Sequence, residues 1–334
     1  MRFKARIRGP SLRWTLALLV TACFDEPEAT DDSASEESAA PASTSGGEAG
    51  GSSTTRAGPG NESTDQGTAN DAGATAEPCR ARFESVDECT DEPEGMVVVE
   101  ATSFEMGCDQ AVEEPACDAS EFPVHSVALS TFAIDALEVT VSDFDVCVAA
   151  GECTARAAET GCHPPNDAAW ADHPANCTTW SQAATYCAWK GKTLPTEAQW
   201  ERVAEGPENL RWPWGDRPNP TCDLAVIVTG GPGCGTDSTF PVGSLPAGAT
   251  AEGVLDMTGN VAEWTADYFS ETAYAEHDDV DPLGPANGTE RVTRGAGYVH
   301  GEVGTLRVRS RLPRAPDQSA PWLGFRCALP ASGG

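Results

Sequence analysis

Thirteen cysteines in 334 residues constrain this chain more than any other feature. No two are spaced CxxC, so a zinc or redox pair is a weak reading. Disulfides are the strong one, and they persist in oxidising compartments. Parity then matters. Cys23 follows the small residues of "VTAC" near the start, and setting it aside leaves twelve. Proximity suggests five local pairs: Cys79–Cys89, Cys108–Cys117, Cys147–Cys153, Cys162–Cys177 and Cys222–Cys234. Cys187 and Cys327 are left over.

The beginning of the chain accounts for Cys23. Arg2, Lys4, Arg6, Arg8 and Arg13 form a basic segment, and Trp14 to Val20 is a short apolar run. That run is too short to span a bilayer, so residues 1–22 read as a signal peptide. Small residues before a cysteine resemble the bacterial lipobox, in which Cys23 is lipidated and becomes the new N-terminus. Ordinary cleavage near Ala22, with Cys23 as a stray thiol, is the alternative; parity favours the lipid. Residues 23–78 have no aromatic after Phe24 and consist largely of Ser, Thr, Ala, Gly, Asp and Glu. Such a segment cannot bury enough apolar surface to offset its ordering entropy. As a flexible coil of about 55 residues it reaches ~40 Å. The expected protein is therefore a lipoprotein of the cell envelope, tethered to a membrane and facing periplasm or cell surface.

The charge balance narrows the partners. There are 52 Asp and Glu against 21 Lys and Arg, a formal net charge of −31, and losing the signal makes it more acidic still. Nucleic acid is excluded, because it requires a basic footprint. Most of these carboxylates read as a solvated surface, including the run "EHDDVDP" (Glu276–Pro282), for which cation binding is the alternative.

Residues 79–95 form a cysteine-containing lead-in, and 96–334 are enough for one large domain. Met96–Met106 reads as two short strands and Val124–Ile134 as another. Thr140 is a plausible N-cap for a helix ending at Gly151. A second helix is expected from about Ser181 to Lys190. The third has Thr196 as cap, Gln199 three residues on as in a capping box, and Gly206-Pro207 as its stop. Val292–Arg294, Leu306–Arg309 and Phe325–Cys327 read as late strands. Few helices, short strands and long loops give an α+β fold.

The stretch "GVLDMTGNVAEW" (Gly253–Trp264) stands apart. It is too broken by glycine for a helix and too rich in special residues for an ordinary strand. A buried turn of this kind must satisfy its own backbone polar groups. Carboxylates and bare carbonyls at such spacings also suit a hard cation. With "KTLPTEAQWE" (Lys192–Glu201), "PWG" (Pro213–Gly215), "TRGAGY" (Thr293–Tyr298) and "GFRC" (Gly324–Cys327), it resembles the formylglycine-generating enzyme, or sulfatase-modifying factor, family. The resemblance covers about Met96 to Leu329 and implies a C-type-lectin-like fold with much irregular structure. It also implies that Cys187 of "YCAW" bridges Cys327 of "GFRC", a closure worth about 4–5 kcal/mol in the chain-entropy account.

The family oxidises a cysteine in a sulfatase peptide with copper(I) held by two thiolates, soft ligands that suit this ion. Those cysteines lie six and eleven residues after the arginine of "RGGS". Counted from Arg294, the positions are His300 and Thr305, and no cysteine occurs between Cys234 and Cys327. The serine of that motif is Gly297, the tryptophan of "GNVWEW" is Ala262, and a second cysteine pair is replaced by Ala204 and Ser310. The resemblance therefore implies no copper chemistry and no catalytic residue. His300 reads as a surface-loop residue rather than a ligand, and Arg294, Arg307, Arg309, Arg311 and Arg326 as structural ion-pair partners.

The family's calcium loop is better kept, with side chains at Asp256 and Glu263 and carbonyls at Gly259 and Val261. The plainer alternative has Asp256 capping the turn and Glu263 paired with an arginine. A further family calcium site, near Val226 and Cys234, is expected to be lost. The expected function is a monomeric envelope module that binds a protein, peptide or glycan without oxidase activity. The alternative is an active formylglycine-generating oxidase or a related metal-dependent enzyme.

Overall fold

The computed structural model describes residues 94–111, 117–276 and 279–330. Cys23, the tether and the expected Cys79–Cys89 pair lie outside the described residues. The chain opens with β1 (Met96–Val99), β2 (Thr102–Met106), β3 (His125–Leu129) and β4 (Phe132–Asp135). Three helices follow: α1 (Val141–Ala149), α2 (Trp180–Trp189) and α3 (Glu197–Glu205). After a long irregular stretch come β5 (Ala262–Tyr268), β6 (Arg291–Arg294), the single turn α4 (Val303–Leu306), β7 (Leu312–Arg314), β8 (Leu323–Gly324) and β9 (Ala328–Pro330). The strands form three small sheets, ordered β1-β4-β9, β2-β3 and β7-β6-β5-β8. This is a mixed α+β architecture.

The helix starts follow from their caps. Thr140 accepts the Asp143 N–H. Thr179 with Gln182 and Thr196 with Gln199 form reciprocal capping boxes, each satisfying two otherwise orphaned donors. The box at Thr179 moves α2 one residue earlier than the sequence suggests. α3 buries Trp200, Val203 and Ala204 against Phe104, Val127, Ile134 and Met257. α1 and α2 share a second apolar centre with Trp264, Leu323 and Phe325. There Phe144 stacks on Tyr186 at 5.6 Å between ring centroids, and Phe325 stands edge-on to both.

Among the described residues, five disulfides join Cys108–Cys117, Cys147–Cys153, Cys162–Cys177, Cys222–Cys234 and Cys187–Cys327. The last runs from α2 to the segment before β9, with Cα atoms 5.6 Å apart. Both its cysteines are fully buried.

Four strand expectations are corrected. Val124–Ile134 is two strands, because the Ser130 N–H and Oγ turn aside to Asp281, at 2.8 and 2.7 Å. Leu306 ends α4, and Arg307–Arg309 is irregular because its two arginines reach two separate acids, Glu121 and Glu205. Phe325–Cys327 lies between β8 and β9, its backbone bonding singly to Asp135 and Val139. The last three residues of Gly253–Trp264 do form strand: β5 begins at Ala262 and pairs in parallel with β8.

Candidate functional site

The turn before β5 is held by more polar contacts than its own residues supply. Asp256, Gly259 and Asn260 all have positive φ, at 61°, 86° and 58°. A Cβ at Gly259 would lie 2.6 Å from the Val226 carbonyl oxygen, so only glycine fits there. Asp256 Oδ2 accepts the Gly243 N–H at 2.6 Å. Asn260 accepts from Phe240 N–H at 2.9 Å and donates Nδ2 to Glu138 at 2.6 Å. Glu138 also accepts the Val261 N–H at 3.1 Å. In the sequence Glu138 is a lone acid between Leu137 and Val139, with no pattern to mark this role.

Glu263, the second residue of β5, is tied to the core. Its carboxylate accepts Nε and Nη2 of Arg326 at 2.8 and 2.7 Å and Nε1 of Trp200 at 2.9 Å. Glu263 and Arg326 are both fully buried. Arg326 also donates to the carbonyls of Asp135 and Leu255. Burial pushes Glu138 well above the usual carboxylate range, and the charges of Asp256 and Glu263 push it further. Asp256 is raised as well, chiefly by burial. Three carboxylates thus share one neighbourhood with a single guanidinium.

The four expected calcium positions keep free oxygen capacity. Glu263 Oε1 takes one hydrogen bond and Asp256 Oδ2 one. Among the described residues, the Gly259 and Val261 carbonyls accept no bond outside the strand ladders. Oxygen donors with excess negative charge are the type a hard dication takes, but the carboxylates of Glu138, Asp256 and Glu263 do not lie close enough together to form a three-carboxylate group. Near Val226 and Cys234, where the family's further site is expected to be lost, Cys234 is in a disulfide and the Val226 carbonyl accepts the Asn260 N–H.

His300 is half-buried, not a surface-loop residue. Its Nδ1 accepts the Gly297 N–H at 3.0 Å, and its ring stands edge-on to Trp322 at 5.2 Å. Burial lowers its pKa. Thr305 sits on α4, its N–H bonded to the Glu302 carbonyl. All ten cysteines of the described residues are in disulfides. The group Cys108, Cys117 and Glu121 lies close enough to suggest a metal, but its two sulfurs are bonded to each other. Gly297 and Ala262 both serve Trp322. A Cβ on Gly297 would lie 2.6 Å from the Trp322 carbonyl oxygen, and the Ala262 N–H donates to that oxygen at 2.8 Å.

The other arginines form a buried array. Glu197, Glu201 and Glu205 recur every four residues on α3, so they share one face. Arg311 grips Glu197 at 2.6 and 2.8 Å, Arg294 bonds Glu201, and Arg309 meets Glu205 at 3.3 Å. Arg307 takes Glu121 at 2.9 and 3.1 Å. These cations are spoken for, so they offer no open anion site.

An α+β domain stapled by disulfides, with a polar positive-φ turn leading into β5, is the class these features define. Residues 82–331 match the model of the sulfatase-modifying factor enzyme 1-like domain, and the chain belongs to that family. It is 40% identical over 168 residues to a formylglycine-generating enzyme of Streptomyces coelicolor, a match over 47% of this chain and 52% of the relative. It thus spans about half the length of that curated relative. It is 35% identical over 162 residues to inactive C-alpha-formylglycine-generating enzyme 2 of Mus musculus, covering 46% of this chain and 48% of the relative. Among solved structures, PvdO from Pseudomonas aeruginosa aligns over 70% of this chain and 94% of its own, with 27% identity and a TM-score of 0.61.

Proposed function

We propose that this chain is a binding module of the cell envelope, built on the formylglycine-generating-enzyme fold and without its copper-dependent oxidase activity. The observation that carries the reading is the state of the thiols. The two positions where the family holds copper are His300 and Thr305, and every cysteine of the described residues is in a disulfide. A copper(I) oxidase of this kind needs soft thiolate ligands, and one half-buried imidazole does not replace two of them. A relative named as inactive shares 35% identity, so the fold occurs under that description elsewhere.

Calcium is the cofactor this reading includes. Asp256 and Glu263 would hold it with the carbonyls of Gly259 and Val261, and Glu138 would stand behind the turn. The ion would neutralise buried carboxylate charge and brace the turn. The partner in this reading is a protein, peptide or glycan, met by loops on a disulfide-stapled scaffold. Cys23 would carry the lipid, and residues 24–78 the reach. Labelling with an alkyne fatty acid should tag the wild type and not Cys23→Ala.

The deciding experiment is metal analysis of the purified protein together with an aldehyde assay on a Cys-x-Pro-x-Arg peptide, with and without copper. Calcium without copper, and no aldehyde, is the expected result. Aldehyde from the wild type would overturn the reading in favour of an active oxidase.

A further inference from the structure

A second site lies beneath α3, at a cavity of about 140 Å³. Its apolar lining includes Met106, Ala198 and Ala273, and its polar lining includes Asp267, Glu197, Glu276 and His125. Asp267, on β5, is only 4% exposed. Asp267 Oδ2 accepts the Glu197 N–H at 2.7 Å. Its Oδ1 accepts nothing among the described residues and has no cation of its own. Arg311 is occupied by Glu197, and Arg294 by Glu201. Gly284 passes so close that a Cβ there would lie 2.7 Å from Oδ1. An unpaired buried carboxylate is expensive, and here burial, with the Glu197 charge, pushes it up to about 7.

We propose that this cavity binds a primary ammonium group carried on a short apolar stem, with Asp267 as its counter-ion. The chemistry selects the ligand. An anion meets a carboxylate with no free guanidinium beside it. A bare hard cation needs six or more oxygens, and part of this lining is apolar. An ammonium brings three donors to one place, while a stem of a few methylenes fills the apolar part. A cavity of about 150 Å³ holds a benzene-sized molecule, so the space suits about five or six heavy atoms. Tyr274 also lines the cavity, its hydroxyl already bonded to Glu201 at 3.2 Å. The site is separate from the turn before β5 and from His300, and it stands whether or not the protein is an oxidase.

The test is calorimetric titration of the full chain at pH 8, where Asp267 is ionised, with n-butylammonium, n-butanol and butyrate. The expected result is saturable binding of n-butylammonium, at least tenfold tighter than n-butanol, with no binding of butyrate. Asp267→Asn should weaken the ammonium at least tenfold. Ala273→Leu, which fills the stem space and leaves every charge in place, should weaken it comparably. It decides the matter if Asp267→Asn does not fold. Nα-acetyl-lysine methylamide distinguishes two sources of the same chemistry. Binding as tight as n-butylammonium assigns a lysine side chain, and much weaker binding assigns a free amine; either supports the site. Equal affinity for n-butylammonium and n-butanol, or unchanged affinity in a folded variant, overturns it.

Discussion

Glu263→Gln separates the ion pair that Glu263 makes with Arg326 from the calcium role proposed for the same carboxylate. In the native protein Glu263 accepts three hydrogen bonds of 2.7 to 2.9 Å from Arg326 and Trp200. A glutamine keeps one acceptor and turns an NH₂ towards the guanidinium. Arg326 is then a fully buried cation without its partner. Breaking such a pair from one side costs about 3–5 kcal/mol. Asp256 and Glu138 can each ionise to compensate in part, so the lower end, about 3 kcal/mol, is expected here. For a domain of this size that corresponds to a fall in Tm of about 6–12 °C. The assay is urea unfolding in EGTA and again in millimolar calcium. In EGTA only the ion pair is probed. In calcium the wild type should gain about 2.7 kcal/mol at a hundredfold excess over Kd, and Glu263→Gln should gain nothing. A paired replacement, Glu263→Met with Arg326→Met, should recover much of the single loss, because no charge is left unpaired. A loss below about 1 kcal/mol for Glu263→Gln in EGTA refutes the ion-pair argument. A wild type indifferent to EGTA refutes the calcium reading and leaves the ion pair standing.

Replacing Cys187 and Cys327 together by Ala should cost about 5 kcal/mol in urea unfolding, and replacing Cys147 and Cys153 about 2 kcal/mol, because the first pair closes a far longer loop. Equal losses would sink the chain-entropy account. His163 is buried against Trp170, its Nε2 on Thr239 Oγ1 at 2.7 Å, and burial, with the charges of His173 and Arg156, depresses it to about 3. The neutral ring's contribution is complete above the unfolded value of about 6.5 and is lost as pH falls from there towards 3. His163→Gln should therefore flatten the fall in Tm between pH 6.5 and 4. Asp267 has the opposite sign. Its folded value of about 7 lies above the unfolded one, so the native state loses stability as pH rises from about 4 to 7. Asp267→Asn should gain on the wild type across that range, and a constant difference in Tm would refute the assignment.

Local signals carried the helices. Thr196 and Gln199 announce α3 because both halves of a capping box lie within four residues. The short disulfide loops were legible for the same reason. What failed was set by long-range partners. Leu306–Arg309 alternates as a strand does, but the alternation serves to send Arg307 to Glu121 and Arg309 to Glu205. Each partner lies at least a hundred residues away along the chain. Ser130 breaks Val124–Ile134 into two strands through Asp281, 151 residues on. Glu138 escaped notice for a related reason. A single acid among apolar residues carries no periodic signal, and its partners Asn260 and Val261 meet it only in the fold. Asp267 was equally silent, since its importance lies in the cation it lacks.

The departures at 262, 297 and 300 form one packed unit, and this bears on what cysteines installed at 300 and 305 could do. His300 braces the Gly297 N–H and the Trp322 ring. Gly297 leaves room for the Trp322 backbone, and Ala262 bonds to the same carbonyl. His300→Cys with Thr305→Cys would supply two thiols but remove that brace. Adding Gly297→Ser would force a Cβ to within 2.6 Å of the Trp322 carbonyl oxygen, which requires the segment before β8 to move. Overpacking of this kind costs about 1–3 kcal/mol. The double-cysteine variant should therefore fold and make no aldehyde from a Cys-x-Pro-x-Arg peptide, even with copper supplied. The triple variant should lose stability without gaining activity. Mass loss on the peptide cysteine with the double variant would show that two thiolates suffice, and that the packing around Trp322 is incidental to the chemistry.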